Sequence, residues 1–478
     1  MRCYATAAST AALVLLTVAV FGPSLVGGGW VLDDHRILET HAHHGDVLGE
    51  WTSETFGFAS GQRGSTWTPI PATLQHTLAL VWGRESATPV RLLNLLVHTL
   101  NVVLVAAVAR RLGAGPVAAF VAGAVAAVHP VGPPSVCVGT VLPEMMPALF
   151  GLVGLRWVPD LPARGQVATT FVITLLACLC KSNGILVFVP LVLVTRRWQV
   201  GAAGLAAVAV YLLWLGRVLP SFVDAASGGS IGYRVWCWLQ TSTLPFGPRW
   251  SPLSHPVAGG FPGVWPGVLV VVAGAAAAWA GQRRLAEGVA TWLLVSIPSG
   301  MVIIATNQVL SFRYAYGALY LALPFLAAGT GRVGKAVTAL LAVGALGWTL
   351  PTASWAAAFR DDGTLLDAVY AMDPNPGIEI GRFHQAAMTG QPVTPEQTAR
   401  VWALYTSPDP ALAGMGSRID VALLARVALQ QGDLVVAEGA ARAALTRNNP
   451  NAVQDAGCTL ATVLLQQRRP AEVGVGCR

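Results

Sequence analysis

The chain has 478 residues, 54% of them hydrophobic and only 11% charged, with a mean hydropathy of +0.58. That balance excludes an ordinary soluble protein of this size and points to a polytopic membrane protein whose first partner is the lipid bilayer. The net charge is +7, but the basic residues come as short pairs between apolar runs and not as one patch, which excludes nucleic acid as a partner. Lys181 and Lys335 are the only lysines among 30 basic residues, and with abundant Ala, Gly and Val this suggests a GC-rich bacterial genome. The seven cysteines are odd in number and scattered without CxxC spacing, so they imply neither a disulfide framework nor a zinc site.

Arg2 precedes an apolar stretch to about Val26, and Gly27-Gly28-Gly29-Trp30 is a poor cleavage site, so the N-terminus reads as a signal anchor. Immediately after it come Asp33, Asp34 and His35. Two adjacent carboxylates at a membrane surface must be hydrated, paired or used. Segments apolar enough to cross roughly 30 Å of hydrocarbon, or nearly so, lie at about 8–26, 92–109, 115–130, 143–158, 166–180, 183–195, 200–219, 262–280, 288–305, 314–330 and 335–351, about eleven in all. Basic residues at Arg2, Arg110 with Arg111, Arg156 with Arg164, Arg196 with Arg197, Arg283 with Arg284, and Arg332 with Lys335 mark every second, short connection. The positive-inside rule places those connections in the cytoplasm. The protein is then expected in a bacterial inner membrane, N-terminus cytoplasmic, with the loop from Asp33 to about Val90 and the C-terminus external, in the periplasm.

Two short apolar runs are interrupted by Lys181-Ser182-Asn183-Gly184, a break tolerable only beside a wet cavity. Tyr233 to Trp250 mixes Trp and Arg with apolar residues and reads as interfacial or re-entrant. After about Trp355 polar residues become frequent and no run could span a bilayer, so the chain divides into a membrane domain, 1–353, and a soluble domain, 354–478. Ala422 to Gln430, Gln431-Gly432-Asp433, Leu434 to Leu445 and Asn448-Asn449-Pro450-Asn451 read as helix, turn, helix and stop. Asp373-Pro374-Asn375-Pro376 echoes that stop about two 34-residue periods upstream, the pattern of a degenerate tetratricopeptide array. Such hairpins are packing units first and a docking surface for a protein partner second.

The order of these features resembles the GT-C glycosyltransferases, in particular the polytopic O-mannosyltransferase-like group with C-terminal tetratricopeptide repeats. Asp33 and Asp34 match the family's aspartate pair in the first external loop. Arg91 to Asn101, with Asn94, His98 and Asn101 on one side, is similar to its second helix. His129-Pro130-Val131 matches the opening of its second external loop. Glu144 stands at a second acidic position, Lys181 matches the Lys of a Ser-Lys-Glu motif, and Arg313-Tyr314-Ala315-Tyr316 resembles an Arg-Tyr-x-Tyr motif. Departures are Gly132, Pro133 and Pro134 after His-Pro-Val, Leu142 for a basic residue, Ser182 for the Glu after Lys181, and Thr68 for an Arg before Pro69.

The resemblance implies an all-α transmembrane bundle that moves a monosaccharide from a polyprenyl-phosphate donor to a hydroxyl of a protein or glycan acceptor, with inversion. One of Asp33 and Asp34 then serves as base for the acceptor while the other orients it or binds a divalent cation, Mg or Mn; no metal ligand set is specified. Glu144 is the second catalytic acid, Lys181 and Arg313 hold the donor phosphate, and His35, His129, Asn94, His98 and Tyr314 support them. Each residue also has a structural reading: a solvated loop for the aspartates and for His41, His43 and His44, snorkelling for Lys181 and Arg313, capping for Glu144, a loop turn for His129, and interhelical hydrogen bonding for Asn94, His98 and Asn101. Two other function classes stand beside the enzyme: a transporter or flippase for a lipid-linked substrate, and an inactive scaffold working through its helical repeats.

Overall fold

The computed structural model describes residues 2–26, 30–31, 47–52, 67–84, 86–218, 272, 276, 282–306, 315–333, 335–372, 376–407, 420–446 and 450–467, and among them every regular element is helical. The chain divides into two compact units, Met1–Asp361 and Asp362–Arg478. The helices of the first are α1 (Arg2–Phe21), α2 (Gly49–Thr52), α3 (Pro69–Trp82), α4 (Thr88–Arg111), α5 (Pro116–Val128), α6 (Gly132–Val136), α7 (Leu142–Trp157), α8 (Ala163–Cys180), α9 (Val189–Thr195), α10 (Trp198–Val218), α11 (Arg283–Thr306), α12 (Tyr316–Val333) and α13 (Lys335–Ala358). The domain boundary expected at 353/354 falls inside α13, which continues to Ala358.

Five described helices are long and apolar enough to cross a membrane: Ala7–Leu25, Thr88–Arg111, Gly139–Asp160, Ala163–Cys180 and Trp198–Arg217. Pro116–Val128, Ser182–Thr195 and Tyr316–Gly329 are apolar but shorter. Most of the segment expected at 262–280, and all of Tyr233 to Trp250, lie outside the described residues.

Helix α4 shows why this unit belongs in lipid. Leu92, Leu96 and Leu100, at i, i+4 and i+8, are 50%, 56% and 44% exposed, while Arg91, Asn94, His98 and Asn101 on the opposite stripe are fully buried. A soluble helix does the reverse. Leucine outward with polar groups turned to neighbouring helices is the arrangement that hydrocarbon requires, because each polar group must find its partner inside the protein.

The bundle has two distinguishable ends. At one, the Arg111 guanidinium donates two hydrogen bonds to the Asp160 carboxylate, at 2.6 and 2.7 Å, joining the C-terminal ends of α4 and α7. At the other, Arg91 Nη1 donates to the Ser24 carbonyl at 2.8 Å and the Arg360 carbonyl at 3.4 Å, gathering the chain after α1, the start of α4 and the chain after α13. Gln75 Nε2 donates to the Gly139 carbonyl at 2.5 Å, bringing α3 to the same end beside the start of α7.

The helix break expected at Lys181-Ser182-Asn183-Gly184 is present. Lys181 is extended (φ −167°, ψ 148°), and Ser182–Leu186 forms a 3-10 turn before α9. Gly184 makes the break: a Cβ there would lie 2.4 Å from the carbonyl carbon and oxygen of Ala177, so only glycine lets the turn fold back against α8.

The second unit contains α14 (Asp362–Met372), α15 (Pro376–Thr389), α16 (Pro395–Tyr405), α17 (Val421–Gln430), α18 (Leu434–Leu445) and α19 (Pro450–Gln466), each packed on the next. Thr394 and Gln397 form a reciprocal capping box at the start of α16, and Asp420 and Asp433 cap α17 and α18. Gly432, at φ +80°, turns the chain between those two helices. Phe383, Val401, Leu424, Ala440 and Val463 meet in its core. Cys458 is disulfide-bonded, although the scattered cysteine spacing implied no disulfide framework.

Candidate functional site

At the end of the bundle marked by Arg91, the start of α7 meets the break after α8. Glu144 lies in the first turn of α7 and is 1% exposed. Its carboxylate accepts a hydrogen bond from the Lys181 ammonium on Oε1 and another from Asn183 Nδ2 on Oε2, at 2.7 Å. Thus two residues singled out in the sequence converge, and Asn183 joins them. The Lys181 side chain is 18% exposed against 2% for Glu144, so the cation is the more accessible member of the pair. Two charges so removed from water are tolerated only because each is met by the other and by further hydrogen bonds.

Behind this cluster runs a second buried polar group. His98 Nδ1 lies 2.8 Å from the Tyr316 hydroxyl, and Asn101 Nδ2 donates to that hydroxyl at 3.2 Å and to the Met145 carbonyl at 3.1 Å. Tyr316 and Tyr320 stack with ring centroids 3.9 Å apart, and the Tyr320 hydroxyl donates to the Ala126 carbonyl at 2.5 Å. Through Met145, the residue after Glu144, α4, α12 and α7 share one hydrogen-bonded interior.

Other sequence-selected residues do separate work. Asn94 Nδ2 donates to the carbonyls of Val136 and Val138, at 3.2 and 2.8 Å, holding the chain between α6 and α7. His129 Nδ1 accepts from the Val131 backbone N–H at 3.1 Å, the loop turn that the following proline suggests, and its ring meets Trp348 edge-on. Asp33, Asp34, His35, His41, His43, His44, Arg313 and Tyr314 lie outside the described residues. Among the described residues no group of three His, Cys, Asp or Glu side chains is placed to hold a metal ion.

Compared with protein-family models, with curated proteins and with solved structures, the chain matches none.

Two features escaped the sequence. Glu50 and His76 are both fully buried, with His76 Nδ1 3.1 Å from Glu50 Oε1, and Trp51 Nε1 donates to Thr73 Oγ1 at 3.0 Å, so α2 is fastened to α3. Trp67 stacks on Tyr211 and packs with Cys178, Leu179 and Leu215, carrying this part of the chain onto α8 and α10. Spacing gave no signal for the pair, since Glu50 is one of several glutamates in the stretch read as an external loop and His76 stands 26 residues after it. Cys137 is buried beside Ser24 and Arg91, and burial pushes its thiol up to about 11, which keeps it protonated and unreactive at neutral pH.

Proposed function

We propose that the chain is a GT-C type membrane glycosyltransferase of the O-mannosyltransferase-like group, moving a monosaccharide from a polyprenyl-phosphate donor to a hydroxyl of a protein or envelope glycan on the external face. The observation that carries this reading is the pairing of Glu144 with Lys181 at one end of a lipid-facing bundle. Of the pair, the Lys181 side chain is the more exposed and so is the cation placed to meet a phosphate.

In this reading Asp33 or Asp34 takes the proton of the acceptor hydroxyl. The resulting oxygen attacks the anomeric carbon opposite the phosphate, the bond from that carbon to the phosphate oxygen breaks, and the polyprenyl phosphate leaves with its electrons, its charge met by Lys181 and Arg313. The other aspartate orients the acceptor or holds a divalent cation.

Eleven spans follow if α5, Ser182–Thr195, α11, α12, α13 and the 262–280 segment cross the membrane with the five longer helices. The Arg111, Arg156 and Arg283 end is then cytoplasmic and the Glu144 end external, as is the second unit, read as tetratricopeptide-like. The disulfide at Cys458 favours that side, since disulfides persist in oxidising compartments.

The test is donor turnover. Purified full-length protein in nanodiscs, given a polyprenyl-phosphate hexose and an envelope-protein fraction, should release polyprenyl phosphate at a rate that requires acceptor. No release with any of several hexoses would overturn the enzymatic reading. It would favour a scaffold, in which the Glu144 carboxylate, occupied on both oxygens, is a cross-link and nothing more.

A further inference from the structure

The amide of Asn183 has only one orientation open to it. A carboxylate accepts hydrogen bonds and donates none, so the NH2 group must face Glu144, and the carbonyl oxygen must face away. That oxygen is buried, in a residue 8% exposed, and has no partner among the described residues. Asn183 also lines a small cavity of about 10 Å³, room for a single hydroxyl, whose other walls are Pro147, Ala148, Val187, Val295, Leu321 and the start of α12 at Gly317 and Ala318. The floor is closed one turn deeper, where Leu321 and Val187 pack against Gly151.

A buried acceptor without a partner selects for a neutral donor. An anion there would meet the negative end of the amide dipole, so the phosphate of a lipid donor is excluded from this pocket and belongs on the Lys181 side. A hydroxyl satisfies both demands, because it gives its proton to Oδ1 while the carbon bearing it rests on apolar walls. Buried acceptors left unpaired are costly, and sites built around one discriminate strongly against analogues that cannot fill it.

We propose that Asn183 is a specificity-determining residue whose Oδ1 accepts a hydrogen bond from one hydroxyl of the donor sugar, seated in the pocket between Pro147, Ala148, Val187, Val295 and Leu321. This rests on the glycosyltransferase reading and names the group on the substrate that the pocket recognises. Phosphate and sugar are thus held by neighbouring residues of one turn, Lys181 for charge and Asn183 for the hydroxyl.

The experiment measures binding of two probes, undecaprenyl phosphate and the same lipid carrying glucose or mannose, to the full-length protein in nanodiscs. The wild type should bind one of the glycosylated lipids about ten-fold more tightly than the bare lipid, the effect of one well-placed hydrogen bond. Asn183→Leu should abolish that ten-fold difference. Gly317→Val should do the same by filling the pocket from the opposite wall, where a Cβ meets nothing within 4 Å, without touching the Glu144 cluster. Equal binding of bare and glycosylated lipids by the wild type overturns the inference, as does a preference that survives both variants. A difference that appears only when acceptor protein is added assigns the hydroxyl to the acceptor and overturns it too. If the wild type binds neither lipid, the glycosyltransferase reading itself fails and this one falls with it.

Discussion

Lys181 follows Glu144 by 37 residues and its ammonium rests on that carboxylate, joining the break after α8 to the first turn of α7. Opposite charges brought together at this depth are coupled, and each depends on the other for its stability in a place with little water. Replacing Lys181 by Met strands an almost fully buried carboxylate, while replacing Glu144 by Gln strands a partly exposed cation. We expect Lys181→Met to cost about 3–5 kcal/mol and Glu144→Gln less. The double variant should recover part of the loss, and a double-mutant cycle of thermal unfolding in detergent checks it. Strict additivity would mean that the two residues do not interact.

Tyr316→Phe removes the hydroxyl that joins α12 to His98 and Asn101 on α4. A buried polar group left without its partner costs about 1–3 kcal/mol, so in a unit of this size the apparent Tm should fall by roughly 1 °C per kcal/mol lost. The neighbouring Tyr320 hydroxyl, 3.4 Å from His98 Nδ1, gives its proton to the Ala126 carbonyl and can replace the lost group only as an acceptor. An unchanged Tm would show that packing alone holds α12 against α4.

Gly184→Ala should open the turn after α8. The added methyl would stand 2.4 Å from backbone atoms of Ala177, which no side-chain rotation relieves. Overpacking of this kind costs about 1–3 kcal/mol, and cysteine accessibility at an engineered Ser182→Cys should rise in the variant. Unchanged labelling would show that the backbone approach is dispensable.

His384 supplies a pH dependence in the second unit. Its Nε2 accepts a hydrogen bond from the Asp420 backbone N–H at 3.0 Å, and burial pushes its pKa below the ordinary value of 6.5, opposed by the nearby Asp420 charge. Because the folded state then binds fewer protons than the unfolded chain below about pH 6.5, stability is fully present above that pH and declines as the pH falls through the folded value. Once the intrinsic slowing of amide exchange at lower pH is divided out, the protection factors of the peptide 376–389 should fall on acidification from pH 7 to 5, and His384→Gln should flatten the profile.

What the sequence made legible follows from what local spacing encodes. The buried stripe of α4 could be read because Asn94, His98 and Asn101 share one helical face, and the break at Lys181 because four residues there cannot continue a lipid-facing helix. The partner of Lys181 could not be read from spacing, since nothing local links residues on two helices. Asn183 stood in the quartet that marked the break, yet its role depends on which way Glu144 turns its amide. Glu50 and His76 looked like loop residues because burial there comes from tertiary docking by Trp51 and Trp67, not from an apolar run. Cys458 sits in a sequence whose cysteine spacing gives no sign of a pair.

The orientation has a direct check. A reporter fused after Ala353 should show external localisation, while cytoplasmic signal would invert the placement of both the Glu144 end and the second unit.

The measurement that bears most directly on the proposed chemistry is glycan transfer to envelope proteins, followed by mass spectrometry in cells carrying Asp33→Asn or Asp34→Asn as the only source of the protein. With folding and insertion verified, at least one variant should lose transfer by about 100-fold or more, the contribution of a general base. Unchanged glycosylation in both would contradict the enzymatic account and leave a membrane-anchored helical protein in its place.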